Sequence, residues 1–244
     1  MDTLLIQTAL EENNGCLLHA IDFPGAFTRG KSRWEAASKM ESEIRRYLRW
    51  AGRYEPRFRA LDKGSFSCEI QIQEEKQSSL EIADADSDIL FLAERKPLTQ
   101  EEYLCLKNLA LASAKDFQQL FDSVPDPHMP LLPARNTFYG PVPCTAREMY
   151  AHTKNVNSYY FGEIGVPAED GPDIAACRKE GFSSLEKSPS FLENPVLQGS
   201  FGEEWSLRKV CRRFIWHDCI HARAMYRGAC KFFGKEQLLN PFLF

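Results

Sequence analysis

The sequence predicts an α+β N-terminal module followed by an all-α four-helix bundle, so that the chain is mainly helical overall. Within the first ninety-odd residues, short apolar runs are joined by turn residues and one segment alternates between apolar and polar side chains, which is typical of β-strands. After Pro97 they recur every three or four residues, as in amphipathic helices. A length of 244 residues is comfortable for two domains, and we place them at residues 1–95 and 96–244.

The first module is predicted to begin with a β-hairpin. Residues 3–10 and 16–22 are short apolar runs, joined by Asn13-Asn14-Gly15, whose asparagine and glycine tolerate a positive φ. Residues 66–73 alternate between apolar and polar side chains and indicate a third strand. Residues 89–92 indicate a further short strand that closes the module.

Between these strands the sequence predicts a helix that begins after Ser32. Ser32 and Glu35 have the spacing of a capping box, and apolar residues follow at helical spacing. If the helix packs the face of Trp34, Ile44 and Leu48 on the sheet, its basic residues are left outside. These basic residues are Arg33, Lys39, Arg45, Arg46 and Arg49.

A Pro-Gly turn and a polar motif connect the hairpin to this helix, at Pro24, Gly25, Thr28, Gly30, Ser32, Glu35 and Ala36. The arrangement resembles the HicB-like antitoxin domain, over about the first fifty residues. Relatives of that kind block small toxin ribonucleases and usually carry a separate DNA-binding segment. No helix-turn-helix follows here, so the resemblance implies a partner-docking or dimerisation element in preference to toxin neutralisation, and it leaves a homodimer open.

Charge is unevenly distributed within this module, although the net charge of the whole chain is only −4. Residues 29–63 contain eleven Lys/Arg against five Asp/Glu, whereas residues 69–94 contain eight acids and a single base. The two segments are expected to pair with each other or across two subunits, with the acidic stretch at residues 84–88 as a partner for the helix arginines. A nucleic-acid-binding face is the alternative, which the overall charge disfavours.

The second half of the chain carries four predicted helices. The first begins at a capping box of Thr99 and Glu102, and the second, from Thr145 to about residue 164, begins at another. Six prolines within residues 124–143 predict a long irregular connection between them. The third helix is expected over residues 174–186. The fourth follows Ser200 and Glu203, which have capping-box spacing, and ends at Gly234.

The last predicted helix carries two histidines, His217 and His221, at a spacing that projects both from one face. They replace apolar residues of the inward stripe, where imidazoles need partners for their nitrogens. A metal ion would supply that partner, and a hydrogen-bonded histidine pair is the alternative. His152 lies on the inward stripe of the second helix and is the candidate third ligand. His19 and His128 are interpreted as surface or loop residues.

His152, followed some sixty residues later by His217-x-x-x-His221, resembles the DinB/YfiT-like superfamily over residues 98–233. The resemblance implies a four-helix bundle that binds nickel or zinc through these three histidines. It also implies a metal-dependent enzyme, a thiol-using transferase or a hydrolase, with an unknown small-molecule substrate and a low-molecular-weight thiol as cosubstrate. The competing function is a non-catalytic interaction protein in which the HicB-like module docks a partner and the metal is structural.

Residues beside the three histidines are expected to serve other purposes. Asp218 is predicted to pair at the rim of the site, Glu163 to lie farther along the bundle, and Cys219 to pack away from the ligands. Tyr159, Arg223 and Tyr226 are candidates for lining a pocket, but packing or surface roles are the favoured interpretation.

The sequence also predicts the cellular compartment of the protein. No uncharged apolar run approaches the about eighteen residues of a membrane span, and the first residues lack the features of a secretory signal. Eight scattered cysteines with no Cys-x-x-Cys pair indicate reduced thiols. These observations predict a cytoplasmic protein without a membrane partner.

Overall fold

The computed structural model describes residues 2–62, 64, 66–84, 87–137 and 140–244, and shows an α+β fold. The main sheet contains β1 (Asp2–Glu12), β2 (Cys16–Ala20), β3 (Phe27–Gly30) and β4 (Phe66–Gln77). Two-residue strands form two small ribbons: β5 (Asn136–Thr137) with β6 (Gly140–Pro141), and β7 (Leu197–Gln198) with β8 (Glu204–Trp205). The helices are α1 (Arg33–Ser38), α2 (Met40–Ala51), α3 (Pro56–Leu61), α4 (Gln100–Asp122), α5 (Ala146–Lys154), α6 (Asn157–Gly162), α7 (Ile174–Leu185) and α8 (Leu207–Phe233).

The main sheet has the strand order β3-β2-β1-β4 and is mixed. Strands β1 and β2 form the predicted antiparallel hairpin, whose turn holds Asn14 at a φ of 49° and Gly15 at 148°. Strand β4 runs parallel to β1, so the chain must cross the sheet between them, and α1 to α3 form that crossover.

The strand predicted at residues 89–92 is wrong. Residues 87–91 lie in no strand, and a short 3-10 helix covers Leu92–Arg95. Carboxylates satisfy the backbone donors here: Glu94 accepts from the amide of Phe91 at 3.0 Å and Glu74 from that of Leu92 at 2.7 Å. These two amides therefore do not need hydrogen bonds to a neighbouring strand.

The basic helix differs from the prediction in two respects. Ile44 and Leu48 are fully buried as expected, but Trp34 is 78% exposed; it lies in the short helix α1, which ends at Ser38 before α2 begins. Arg46 is only 7% exposed, where it pairs with Glu43 and donates to the carbonyl of Phe242 at 2.9 Å, so not all the basic residues lie outside.

The acidic stretch has other partners than the helix arginines among the described residues. Asp84 lies 3.9 Å from Arg135, and Asp88 accepts from the hydroxyls of Ser78 and Ser79. Residues 85 and 86 of this stretch lie outside the described residues.

In the second half of the chain α4 packs against α8, α7 and α5, while α5 also contacts α8 and α6 contacts α7. The second predicted helix is interrupted at residues 155–156. Buried Asn157 donates to the carbonyl of Lys154 at 3.3 Å, so its side chain competes with the helical backbone there. None of the described helices combines the length and apolar character that crossing a membrane requires.

The last helix begins six residues later than predicted, at Leu207. Ser206, not Ser200, is the N-cap: its hydroxyl accepts from the amide of Lys209 at 3.2 Å and donates to the carbonyl of Glu94 at 2.8 Å. Ser200 instead begins a short 3-10 turn in which Phe201 has a φ of 58°.

Residues 1–95 and 96–244 pack on each other through buried polar contacts as well as apolar ones. Asp116 of α4 accepts hydrogen bonds from Trp50 at 2.8 Å and from Tyr54 at 2.7 Å. Arg212 of α8 pairs with Glu94. The domain boundary between residues 95 and 96 stays a prediction.

A fragment of residues 96–244 tests that boundary. We expect it to retain helical circular dichroism but to melt at a lower temperature than the full chain, because Asp116 and Arg212 lose buried partners. A fragment without a cooperative thermal transition would contradict the boundary and would show that the two parts fold as one unit.

Candidate metal centre

The structure brings His152, His217 and His221 together, as the sequence predicts. His152 lies in the last turn of α5, and His217 and His221 lie one turn apart on α8. Their ring centroids are 4.6 to 5.0 Å apart, and one ligand nitrogen from each ring lies within 4.8 Å of the others. This is a group that could hold a metal ion.

The capping box at the start of α5 fixes where this helix begins, and therefore the position of His152 along it. Thr145 accepts from the amide of Glu148 at 3.1 Å, and Glu148 accepts from the amides of Thr145 and Cys144 at 3.0 and 2.9 Å. These backbone donors lower the pKa of Glu148 to about 2, so its carboxylate remains charged. His152 follows this cap by about two helical turns, on the same stripe as buried Met149.

The rotation of α8 is fixed beside the ligands by a fully buried ion pair. Asp218 accepts from Arg178 of α7 at 3.1 Å and from Ser113 of α4 at 2.6 Å. Arg178 also donates to the carbonyl of Ala110 at 3.1 Å. Asp218 therefore pairs in the interior and not at the rim as predicted. Burial raises its pKa, although Arg178 opposes that rise.

His217 is suited to act as a ligand because its imidazole is neutral. Burial lowers its pKa well below the usual value, and the neighbouring His221 and His152 add to that effect. Its Nε2 lies 3.1 Å from Nε2 of His152. In a tetrahedral zinc site with Zn–N bonds of 2.0–2.1 Å, ligand nitrogens are about 3.3 Å apart. The spacing of these two rings therefore fits a shared zinc ion, and it equally fits a hydrogen bond between the two imidazoles.

Other candidate residues have separate partners. Buried Glu163 accepts from the amide of Ser200 at 2.6 Å, and Cys219 packs in the interior, with its sulfur 3.7 Å from Arg46. His128 is exposed in a loop, as predicted. His19 is not a surface residue: it is 2% exposed, and its Nε2 lies 3.4 Å from Glu11. Glu11 of β1 is the polar neighbour that permits this burial. The pairing of β1 with β2 brings it next to His19, so it cannot be inferred from the local pattern around His19.

A cavity of about 1360 Å³ adjoins the three histidines. Tyr159, Arg223 and Tyr226 all contribute to its wall, so they line a pocket, although packing or surface roles were the favoured interpretation. The N-terminal module contributes as well, through Phe27 and Arg29 of β3 and through α2. This contribution is not visible in the sequence, because no local signal relates β3 to a helix some two hundred residues later.

The buried histidines predict acid sensitivity of the metal-free protein. Burial lowers the pKa of both His19 and His217 below the value of about 6.5 expected in the unfolded chain. Below pH 6.5 the unfolded chain therefore binds more protons, so the free energy of unfolding should fall by up to about 1.4 kcal/mol per pH unit for each histidine.

Urea unfolding of EDTA-treated protein between pH 7.5 and 5.5 measures this dependence. The variant His217→Gln should show a shallower dependence, whereas His128→Gln, which changes an exposed histidine, should match the unsubstituted protein. An unchanged pH dependence of the free energy of unfolding in His217→Gln would contradict the lowered pKa of His217.

Three imidazoles thus converge at the wall of a large cavity, and no Cys, Asp or Glu of the described residues joins their cluster. The arrangement leaves room for a further ligand from solution, as in zinc sites that take part in catalysis. Comparisons with protein-family models, curated proteins and solved structures find no match to this chain.

Proposed function

We propose that this protein is a metal-dependent enzyme in which His152, His217 and His221 hold one divalent ion, zinc or nickel. The observation that carries the proposal is the convergence of three imidazoles beside a cavity of about 1360 Å³. We further propose a DinB-like four-helix bundle for residues 96–244, preceded by a HicB-like module. The reaction class that follows is a thiol-using transfer or a hydrolysis.

When bound, such a metal ion supplies a Lewis acid, which lowers the pKa of a coordinated water or thiol toward neutrality. The chain's own part is to present neutral nitrogens at fixed positions. His217 is kept neutral by burial, and the adjacent Asp218–Arg178 pair prevents α8 from rotating.

The cavity wall offers both apolar and polar surface to a substrate. Met149, Val156 and Ile220 line it with the histidines and suit an apolar part of a small molecule. Tyr159 adds a hydroxyl whose pKa is raised by burial, so it remains a hydrogen-bond donor at neutral pH.

The competing function is a non-catalytic interaction protein in which the N-terminal module docks a partner and the metal is structural. The exposed Trp34 favours it, because an indole that is 78% exposed is typical of residues that dominate protein interfaces. Access of an external ligand to the metal separates the two functions.

Cobalt substitution tests this access. The protein loaded with Co²⁺ is titrated with 2-mercaptoethanol, and the absorption spectrum is recorded. We expect a sulfur-to-cobalt charge-transfer band to appear on addition of the thiol, because a three-histidine site leaves a position free. A band that is present before the addition would show that a cysteine of the chain itself is bound to the cobalt.

A spectrum that does not respond to thiol would favour the structural role. Failure of His217→Ala to remove the cobalt spectrum would contradict the site itself. Elemental analysis of the purified protein then identifies which metal it carries.

A further inference from the structure

The cavity beside the histidines is strongly basic although the protein as a whole is acidic. Ten lysine and arginine side chains line it, against three acidic ones among the described residues. The net charge of the chain is −4, so this concentration of positive charge is local. A concave surface with one sign of charge attracts ligands of the opposite sign and concentrates its field within the cleft.

Arg223 and Arg227 lie one turn apart on α8, and Arg29 and Arg135 line the same cavity. Arg29 of β3 is half-buried, and its pKa is lowered by burial and by the positive charges of Arg135, Arg223 and Arg227. Its guanidinium donates to the carbonyl of Ile82 at 3.4 Å, a neutral acceptor. Arginines with like-charge neighbours are costly to hold together unless an anion lies among them.

The acidic residues in the cavity do not balance this group. Glu43 is shared between Arg46 at 2.6 Å and Arg223 at 2.7 Å. Asp84 lies 3.9 Å from Arg135. Arg227 is exposed and has no ion pair within the described part of the chain. The third acidic residue, Glu203, pairs with Lys209. Two carboxylates therefore face five guanidinium groups, and Arg29 and Arg227 are left without an acidic partner among the described residues.

We propose that Arg29, Arg223 and Arg227 form an oxyanion-binding subsite in the same cavity as the three histidines. The inference rests on the proposed function and names its substrate class: a small substrate or cosubstrate that carries phosphate or carboxylate groups. The anionic end binds the arginines while the reacting end reaches the histidines.

The chemistry of arginine supports this assignment. A guanidinium presents a planar set of donors that matches phosphate and carboxylate oxygens, often through two parallel hydrogen bonds. Within a cavity such charge-assisted bonds are screened less than at an open surface. The arrangement also gives the N-terminal module a role at the site, because β3 supplies Arg29 while α8 supplies Arg223 and Arg227.

Calorimetric titration of the metal-free 244-residue chain tests the subsite. The probes are inorganic phosphate and succinate, each at constant ionic strength, which separate a phosphate from a carboxylate ligand. Arg227→Gln should weaken binding of the preferred probe about tenfold, because a hydrogen bond to a charged group is lost. Arg227 is exposed, so the variant should fold normally.

Arg57→Gln is the matched control. Arg57 is exposed and lies outside the cavity, and its replacement removes the same unit of charge. Binding in this variant should stay within about twofold of the unsubstituted protein. Equal weakening in both variants would show a non-specific charge effect and overturn the subsite, as would the absence of binding of either probe.

The outcome is independent of the metal proposal, because both titrations use metal-free protein. Loss of anion binding with intact metal binding overturns the subsite alone. Anion binding without metal binding overturns the proposed function and leaves the subsite. Tight, salt-resistant binding of a single-stranded oligonucleotide in place of phosphate and succinate would instead assign the basic surface to nucleic acid and overturn the proposal.

Discussion

Replacing His217 by alanine is expected to abolish stoichiometric metal binding while the protein remains folded. A four-ligand structural zinc site supplies about 10–16 kcal/mol of apparent binding free energy, so one imidazole contributes roughly 3 kcal/mol, and its loss should weaken binding at least about 100-fold. The fold should persist because α8 has apolar contacts of its own and alanine favours a helix.

Metal content after dialysis, together with far-UV circular dichroism, measures both parts of this expectation. His128→Ala is the matched control, since it removes an exposed loop histidine and should retain the full metal content. Metal that remains bound in His217→Ala would refute the three-histidine site. Loss of the helical signal in that variant would assign the metal a structural role, because folding would then depend on it.

Local signals in the sequence were sufficient for much of the fold. The N-caps at Ser32, Thr99 and Thr145 follow from a side chain and a backbone amide three residues apart, and the structure forms all three. The hairpin turn at Asn14 and Gly15 is equally local. Such features depend on neighbours along the chain, so the sequence pattern contains the physical cause.

Other elements depend on residues far away in the sequence. Ser200 and Ser206 both have the composition of a helix cap, and the choice of Ser206 involves its hydrogen bond to the carbonyl of Glu94. The break between α5 and α6 accompanies the burial of Asn157, whose side chain also accepts from Arg178 at 3.4 Å. Neither partner can be inferred from a local pattern.

The candidate site shows the same division. The pairing of His217 with His221 follows from helical spacing, and their place on an apolar stripe indicated burial. The inward stripe of the second helix made His152 the candidate third ligand, but only the tertiary structure shows its ring facing the other two. The arginines of the cavity wall could not be predicted, because Arg29 and Arg227 meet only once the two halves of the chain have packed together.

The largest expected effect on stability comes from Arg178→Met. Asp218 and Arg178 are both fully buried, so the substitution leaves a carboxylate in the interior with Ser113 as its remaining side-chain donor. Breaking a buried pair in this way costs about 3–5 kcal/mol. Urea unfolding at pH 7 should register that loss, and metal affinity should fall with it, because Asp218 adjoins His217 on α8.

The pH dependence of this variant identifies the cause. Without Arg178 the pKa of folded Asp218 rises further above its unfolded value, so the folded state binds the additional proton, and the variant should become less unstable as the pH falls. The double variant Arg178→Met/Asp218→Leu should recover most of the loss, since no buried charge remains. Arg95→Met, which breaks an exposed pair with Glu204, should cost less than about 1 kcal/mol. Equal effects of Arg95→Met and Arg178→Met would contradict the view that this buried pair fixes α8 beside the histidines.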